Sequence, residues 1–280
     1  MQMRVAYQGE RGAFSETAAR RLMGTEMTGI PCPSFEEMFE SVRRGDADCC
    51  IAPIENSLAG SIHRNYDLLL DSNFSIAGET HLRIVHHLIA PPDVSIDQIR
   101  RVYSHPVALA QCNRFLRANP QMEPTPVHDT AGAVRLVMDR RRDDEAGIAS
   151  ADAAEIYGGR ILAEGIEDHA QNFTRFLLLA PPERAEPIVT RDAERRWKTS
   201  IVFRTANRPG ALFHALGAFA AFNIDLAKIE SRPVEGKPWE YSFYLDFIGR
   251  RDEPHIARAL DNLSSLSEMV RVLGSYPTRW

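Results

Sequence analysis

The first 180 residues alternate between short apolar runs and amphipathic stretches. Runs at 3–7, 48–54 and 172–180 each end at polar residues or prolines, which is typical of strands. The stretch at 35–42 places apolar side chains at i, i+3, i+4 and i+7, the spacing of one buried helical face, and Ser34 opens it with a capping box. Near-continuous apolar strands that alternate with such helices predict an α/β fold whose sheet is covered on both faces.

The residues from 199 onward follow another pattern. Strands are predicted at 199–205, 224–233, 241–248 and 269–273, with one amphipathic helix after the first strand and another after the third. This βαββαβ order is that of a ferredoxin-like domain, in which four antiparallel strands carry two helices on one side. The third strand is predicted to direct alternate side chains inward: Tyr241, Phe243, Leu245 and Phe247.

Composition describes a chain of 280 residues that can bury a core. Hydrophobic residues make up 44% and charged residues 25%, as in globular proteins, and the net charge of −5 favours neither nucleic acid nor an anionic membrane as a partner. No apolar run reaches the roughly 20 residues of a membrane span, and no signal peptide is expected before the strand pattern at Met3. We therefore expect a cytoplasmic protein.

The cysteines and lysines of the sequence limit the kinds of catalysis and metal binding that the chain can use. The four cysteines show no zinc or redox spacing, so reduced structural thiols are expected. The chain has only three lysines, and the first is Lys198, so the preceding two thirds cannot use a Schiff-base or phosphate-loop lysine. His86 and His87 are adjacent on a predicted strand and face opposite ways, which argues against a metal pair. We expect no cofactor and no metal.

Polar side chains gather where predicted strands end and helices begin. They occur in four stretches, at 8–12, 53–61, 104–111 and 172–176. Open α/β sheets bind ligands at the carboxyl ends of their strands, and a glycine turn before a helix can hold an anion. Each stretch taken alone is also compatible with an ordinary turn or strand end.

Seven segments, in this order, resemble the monofunctional prephenate dehydratases, which carry a C-terminal ACT regulatory domain. The segments are 7–19, 53–61, 104–112, 129–133, 172–176, 210–212 and 230–233, and together they extend over nearly the whole chain. The resemblance implies an enzyme, a carbon–oxygen lyase of phenylalanine biosynthesis. Its substrate would be prephenate, which loses carbon dioxide and hydroxide to give phenylpyruvate.

The resemblance also implies a domain organisation. Residues 1–180 would form a two-lobed catalytic region similar to periplasmic binding proteins. One lobe would combine about 1–75 with 160–180, and the other would be about 76–159. The stretch at 181–198 is rich in proline and charge and is predicted to be a linker. The ACT domain would then be the βαββαβ unit at 199–280.

The catalytic residues come from the resemblance. Thr174 would supply the key hydroxyl, with three residues lining the site and three supporting it: Asn56, Ser104 and Gln111, and Glu55, Arg175 and Phe176. The glycine turn at 9–12, Asn56 and Arg175 are the candidates for holding the substrate carboxylates. In an ideal strand Thr174 and Phe176 share one face while Arg175 points to the other, so Arg175 is equally compatible with a structural role.

In the ACT domain, the resemblance implies that phenylalanine binds as a feedback inhibitor at an interface within a homodimer or homotetramer. The implied effector residues are Asn207, Gly210, Ala211, Leu212, Asn223, Glu230 and Ser231. Gly210 allows close backbone approach, and the N-terminus of the following helix suits a carboxylate.

Two other functions fit the same sequence. The first is an arogenate dehydratase, whose substrate has an amino group in place of the keto oxygen of prephenate. The second is a binding protein that senses an amino acid without catalysis. The intact segments at 53–61 and 172–176 argue against the second function.

Overall fold

The computed structural model describes residues 2–189 and 196–278. The chain divides into two compact units, one made of Met1–Ser72 and Thr80–Leu177 and the other of Asn73–Glu79 and Leu178–Trp280. The division falls inside two strands, so that each of these strands contributes residues to both units. The predicted α/β fold class is confirmed.

The first sheet has six strands. They are β1 (Arg4–Gln8), β2 (Thr28–Cys32), β3 (Cys49–Asn56), β4 (Gly60–Ser61), β5 (Ser75–Arg83) and β11 (Phe173–Ala180). Their order is β2-β1-β3-β11-β5, with β4 paired to β3, and β1 runs parallel to β2 and β3. Because β1 and β3 are parallel, the turn after Gln8 and the side chain of Asn56 lie at the same edge of the sheet.

Three helices accompany this sheet: α1 (Phe14–Met23), α2 (Phe35–Arg44) and α3 (His63–Asp71). The start of α2 is as predicted, since Ser34 Oγ accepts a hydrogen bond of 3.1 Å from the Glu37 amide. The helix ends at Gly45, which has a φ of 81°. Its buried face includes Met38 and Phe39, which confirms the predicted apolar stripe.

The second sheet has five strands. They are β6 (His87–Ala90), β7 (Arg101–Ser104), β8 (Glu123–Pro126), β9 (Glu145–Ala149) and β10 (Arg160–Ala163), in the order β10-β6-β9-β7-β8. Its helices are α4 (Pro106–Gln111), α5 (Asn113–Ala118), α6 (Thr130–Arg140) and α7 (Ala151–Tyr157), and a 3₁₀ turn covers Ile96–Gln98. Pro106 occupies the first turn of α4, where its missing amide hydrogen is not needed.

The predicted βαββαβ unit is confirmed. It consists of β12 (Trp197–Arg204), α9 (Ala211–Ala220), β13 (Leu226–Val234), β14 (Lys237–Ile248), α10 (Pro254–Leu266) and β15 (Met269–Pro277). The sheet is antiparallel in the order β13-β14-β12-β15, and both helices pack on its apolar face around buried Phe203, Phe219 and Phe247. Tyr241 is a correction, because its side chain is exposed rather than inward-facing.

Two predicted boundaries also change. The stretch at 181–198, predicted as a linker, contains a helix, α8 (Pro182–Val189). Its first residue is Pro182, and proline is well tolerated at the start of a helix. Residues 190–195 of this stretch lie outside the described residues. The predicted lobes divided the chain near residues 75 and 160, yet β5 pairs in the first sheet and β10 in the second. The change from one sheet to the other therefore falls after Arg83 and again between Ala163 and Phe173.

Candidate active site

A cavity of about 340 Å³ lies in the first unit, where polar stretches were predicted to meet. It is lined by residues at the carboxyl ends of β1, β3 and β7, by the first residues of α1 and α6, and by the start of β11. Elements of both sheets therefore contribute to one site. Of the predicted catalytic residues, Asn56, Gln111, Thr174 and Phe176 line this cavity.

Three carboxamide side chains form a closed ring of hydrogen bonds beside the cavity. Asn56 Nδ2 donates to Asn172 Oδ1 at 2.8 Å, Asn172 Nδ2 donates to Gln111 Oε1 at 2.9 Å, and Gln111 Nε2 donates to Asn56 Oδ1 at 3.3 Å. Asn56 Oδ1 also accepts from the amides of Leu58 and Ala59, which fixes its orientation at the end of β3. Such mutually satisfied amides are rigid, so the groups that they hold are preorganised.

The hydroxyl of Thr174 is held by this ring. Asn56 Nδ2 lies 3.0 Å from Thr174 Oγ1 and donates to it, so the oxygen serves as an acceptor. Among residues 2–189 and 196–278, no acceptor is found for the hydroxyl proton of Thr174. That proton is therefore available to a molecule in the cavity.

His86 extends the network as a neutral group. Its Nε2 lies 3.0 Å from Gln111 Oε1 and must be the donor, which leaves Nδ1 unprotonated and without a partner in the described structure. Burial lowers the pKa of His86, and the imidazole is 2% exposed. The ring also packs edge-on against Phe14, with ring centroids 5.6 Å apart.

The start of α1 offers free backbone amides to the cavity. Gly12 has a φ of 84°, and a Cβ at this position would lie 2.8 Å from the Ala153 Cα, so the turn requires glycine. The Gly12 amide donates to Glu16 Oε2 at 2.8 Å, but no side chain caps the helix. In the described part of the chain, the amides of Phe14 and Ser15 have no acceptor, and both residues line the cavity.

Three predicted catalytic residues do not line the cavity. Ser104 is a correction: its side chain is fully buried, and its Oγ donates to the Ile148 carbonyl at 2.6 Å. Arg175 is buried on the opposite face of β11 from Thr174, as strand alternation predicted, which removes it as a direct ligand of substrate. Glu55 is half-buried in β3 and pairs with Ser61 of β4.

Two functional residues were missed. Asn172 shares a face with Thr174 and Phe176, so the period-two alternation of a strand was a signal that could have found it. His86 was considered only together with His87, as an adjacent pair that is not expected to bind a metal. Nothing in the sequence near His86 indicates that it would contact Gln111, because the two residues are joined only by the packing of distant segments.

The predicted effector residues lie in the second unit. Gly210, with a φ of 80°, precedes α9, whose start has no side-chain cap. The amides of Leu212 and Phe213 have no acceptor within the described ranges. Asn223 follows the other end of α9, about 15 Å away for a helix of this length. Asn207 donates to the Trp239 carbonyl at 3.2 Å, while Glu230 and Ser231 lie on the edge strand β13.

Metal clusters and membrane-spanning helices are two further features that bear on function. Within the described residues, no group of three or more histidine, cysteine, aspartate or glutamate side chains could hold a metal ion. Each of the four cysteines is buried and in the thiol form. Over the same residues, no helix has the length and apolar character needed to span a membrane.

Comparison with known families matches almost the whole chain. The model of the family described as "Prephenate dehydratase" matches residues 5–184, and that of the ACT domain matches residues 199–265. The chain belongs to the prephenate dehydratase family. Its βαββαβ unit is accordingly the ACT domain.

Of three similar proteins, two are named as dehydratases and one as an acylase. Arogenate dehydratase/prephenate dehydratase 2, chloroplastic, of Arabidopsis thaliana is 45% identical over 284 residues, covering 98% of this chain and 73% of the relative. The structure of prephenate dehydratase from Arthrobacter aurescens in complex with L-Phe has a TM-score of 0.86 at 32% identity, covering 98% of this chain and 89% of that one. A structure described as GqqA, a novel type of quorum quenching acylases, has a TM-score of 0.87 at 34% identity, covering 99% and 98%.

As a prephenate dehydratase with an ACT domain, the chain is a lyase of aromatic amino acid biosynthesis.

Proposed function

We propose that the cavity beside Thr174 converts prephenate to phenylpyruvate by decarboxylating dehydration, and that the ACT domain subjects this reaction to inhibition by phenylalanine. The observation that carries the catalytic proposal is the Thr174 hydroxyl, which accepts from Asn56 Nδ2 at 3.0 Å and has its own proton free to face the cavity.

The main requirement of this reaction is that the protein stabilises one leaving group, the ring hydroxyl. When the ring carboxylate leaves as carbon dioxide, its bonding electrons enter the ring, the C–O bond to the ring hydroxyl breaks, and the ring becomes aromatic. The departing oxygen needs stabilisation as negative charge develops on it. Thr174 can donate a hydrogen bond to this oxygen, and the amide ring holds the donor in place before the reaction begins. A threonine hydroxyl is too weak an acid to give up its proton unaided, so the proton that completes water comes from solvent.

Substrate carboxylates are proposed to bind to the start of α1. The free amides of Phe14 and Ser15 face the cavity, and the positive end of the helix dipole favours an anion there. Of the three candidates named for this role, the arrangement favours the glycine turn at 9–12, which leads into α1, over Arg175. Among the described residues that line the cavity, none is lysine or arginine.

The same geometry argues against acyl transfer, the activity of an acylase such as the structural neighbour GqqA. A hydroxyl nucleophile needs a base within hydrogen-bond reach to take its proton. The partner of Thr174 Oγ1 is the Nδ2 donor of Asn56, which cannot act as a base. The neutral imidazole of His86 contacts Gln111 instead.

Phenylalanine is proposed to bind where α9 begins. The uncapped amides of Leu212 and Phe213 suit its carboxylate, and Gly210 leaves the approach open. One chain does not bring Asn223 to this point, because α9 separates it from Gly210. A site that uses both residues therefore needs a second copy of the chain, which supports a homodimer or homotetramer. Light scattering on the purified protein would measure the number of copies.

The proposed location is the cytoplasm. Four buried cysteines in the thiol form are compatible with a reducing compartment. The name of the Arabidopsis relative places that protein in the chloroplast, which is a separate compartment. Imaging of the tagged protein in its own cells would distinguish the two locations.

One assay tests the catalytic and the regulatory proposals together. Purified protein is incubated with prephenate, and phenylpyruvate is measured with and without added phenylalanine. We expect turnover that phenylalanine suppresses. Absence of prephenate turnover with a folded protein would contradict the catalytic proposal and leave an arogenate dehydratase or a sensor as the function, whereas turnover that ignores phenylalanine would contradict only the regulatory proposal.

A further inference from the structure

The charged groups of the cavity are unusual for a site that takes a dianion. In the described structure its lining contains one carboxylate, that of Asp129, together with three histidines and no lysine or arginine. Burial lowers the pKa of His86, and burial with nearby His128 lowers the pKa of His105. Among the described lining residues, Asp129 alone carries a carboxylate, and no lysine or arginine of the lining is present to neutralise it.

Asp129 is held in a defined position. It is the N-cap residue of α6, and its Oδ1 accepts from the Gly132 amide at 2.7 Å. A Cβ placed on Gly9 would lie 3.9 Å from Asp129 Oδ1, so the carboxylate stands beside the turn that follows β1. Among the described residues, no donor is found for the second carboxylate oxygen, Oδ2.

Asp129 stands apart from the group proposed to handle the leaving hydroxyl. The hydrogen bonds that orient Thr174 and the amide ring join it to Asn56, Asn172, Gln111 and His86 rather than to Asp129. The cavity wall thus carries two separate polar groups. One is the neutral donor network at Thr174, and the other is the carboxylate at Asp129.

The substrates of this reaction also have two separate polar ends. The ring hydroxyl that leaves and the three-carbon side chain are attached at opposite positions of the six-membered ring. If Thr174 contacts the hydroxyl, the side chain extends toward another part of the wall. In prephenate that side chain ends in a keto acid, while in arogenate it carries an ammonium group next to its carboxylate.

We propose that Asp129 is a specificity-determining residue that binds the side-chain ammonium of arogenate, so that this chain dehydrates arogenate in preference to prephenate. This inference rests on the proposed function of the same cavity. A carboxylate attracts the ammonium of arogenate and makes a charge-assisted hydrogen bond with it. The same carboxylate repels the keto acid of prephenate, so one residue both favours one substrate and opposes the other.

The test compares kcat/KM for arogenate and for prephenate in the wild type and three variants. Asp129→Asn removes the charge but keeps an oxygen that can cap α6, and asparagine is as good a cap as aspartate. Asp139→Asn is the matched control, because Asp139 lies on the same helix, is exposed, and does not line the cavity. Asp129→Ser is a second variant that also preserves a capping oxygen. Thermal unfolding confirms that each variant is folded.

We expect the wild-type protein and Asp139→Asn to prefer arogenate. In Asp129→Asn and Asp129→Ser the ratio of arogenate to prephenate kcat/KM should fall by roughly 10- to 100-fold, mainly through a higher KM for arogenate, as for one lost charge-assisted contact. A folded Asp129→Asn with an unchanged ratio, or a wild type that turns over prephenate but not arogenate, would overturn the inference. Turnover of neither substrate would instead refute the proposed function, and the inference would fall with it.

Discussion

At the scale of single residues, the hydroxyl of Thr174 is the group on which the proposed chemistry depends. Thr174→Val replaces the hydroxyl by a methyl group of similar volume and removes the donor. We expect kcat to fall by about 100- to 1000-fold, as for loss of one preorganised donor to a developing oxyanion. Phenylpyruvate formation at saturating prephenate measures the effect.

The structure also supplies the control for this experiment. Thr174→Ser keeps an oxygen that can accept from Asn56 Nδ2, so it should retain much more activity than the valine variant. Because Asn56 Nδ2 also reaches Asn172 Oδ1, loss of the hydroxyl does not leave the amide without an acceptor, and the fold should persist. Equal activity of the valine variant and the wild type would remove Thr174 from the mechanism.

His86 makes stability depend on pH. Its pKa in the folded protein is below the ordinary value of 6.5, chiefly because burial disfavours the charged imidazole. As pH falls below 6.5, the unfolded chain takes up a proton that the folded chain does not. The free energy of unfolding therefore decreases with falling pH until the lowered pKa is passed, by at most about 1.4 kcal/mol per pH unit for this one group.

The variant His86→Gln isolates this effect. Glutamine can still donate to Gln111 Oε1 but does not titrate. Urea unfolding at about pH 7.5 and about pH 5.5, which bracket an ordinary histidine, should show a smaller loss of stability for the variant than for the wild type. His87 and His105, whose pKa values burial also lowers, remain in both proteins, so the difference between the two proteins is the quantity to compare. An identical loss would contradict the assignment.

At the scale of elements, the first half of β5 carries a buried ion pair within the second unit. Lys198 Nζ donates to Glu79 Oε1 at 2.6 Å, and Thr278 Oγ1 donates to the same oxygen at 2.5 Å. The side chains of Lys198 and Glu79 are 2% and 0% exposed. Glu79→Gln removes the carboxylate of this pair while the lysine charge stays buried, and we expect a loss of about 3–5 kcal/mol in the free energy of unfolding.

An exposed pair in the same unit serves as the control. Arg250 Nη2 lies 2.8 Å from Asp252 Oδ2, with side chains 43% and 62% exposed. Asp252→Asn removes a carboxylate charge at the surface and should change stability by less than about 1 kcal/mol. Chemical denaturation of both variants measures the loss in the free energy of unfolding that each substitution causes. Similar small losses in the two would show that the burial of Lys198 and Glu79 carries no special penalty.

At the scale of the whole molecule, the parts of the fold that were predictable are those with local signals. The βαββαβ unit could be predicted because each of its helices and strands shows its own hydrophobic period. The lobe boundaries could not, because the local sequences of β5 and β10 do not show which sheet each strand pairs with. Helix α8 was not predicted, because the composition of its stretch is typical of linkers.

The candidate active site likewise could be predicted only where a local sequence signal exists. Thr174 and Phe176 could be placed on one face from strand alternation, and Arg175 on the other. Ser104 looked like the other polar residues at strand ends, but its hydroxyl donates a hydrogen bond to the carbonyl of Ile148, on a strand that is distant in sequence. Whether a polar side chain faces a ligand or a neighbouring backbone depends on pairing between strands, which the local sequence does not encode.

The proposed regulation spans the whole molecule, because phenylalanine would bind in one unit and change turnover in the other. Gly210 has a φ of 80°, a conformation that strains a β-branched residue by roughly 1–2 kcal/mol or more. Gly210→Val should therefore distort the start of α9 and move the amides of Leu212 and Phe213 away from the effector carboxylate. We expect basal turnover to be retained and inhibition by phenylalanine to be lost.

Gly217→Ala is the matched control for this experiment. Gly217 lies within α9, and a Cβ there would meet nothing within 4 Å, so the substitution tests a change in the same helix without strain. Alanine favours the helix, and inhibition should be as in the wild type. Turnover is measured over a series of phenylalanine concentrations for the three proteins. Wild-type sensitivity in Gly210→Val would exclude the start of α9 as the effector site, because a carboxylate bound there could not tolerate displaced amides.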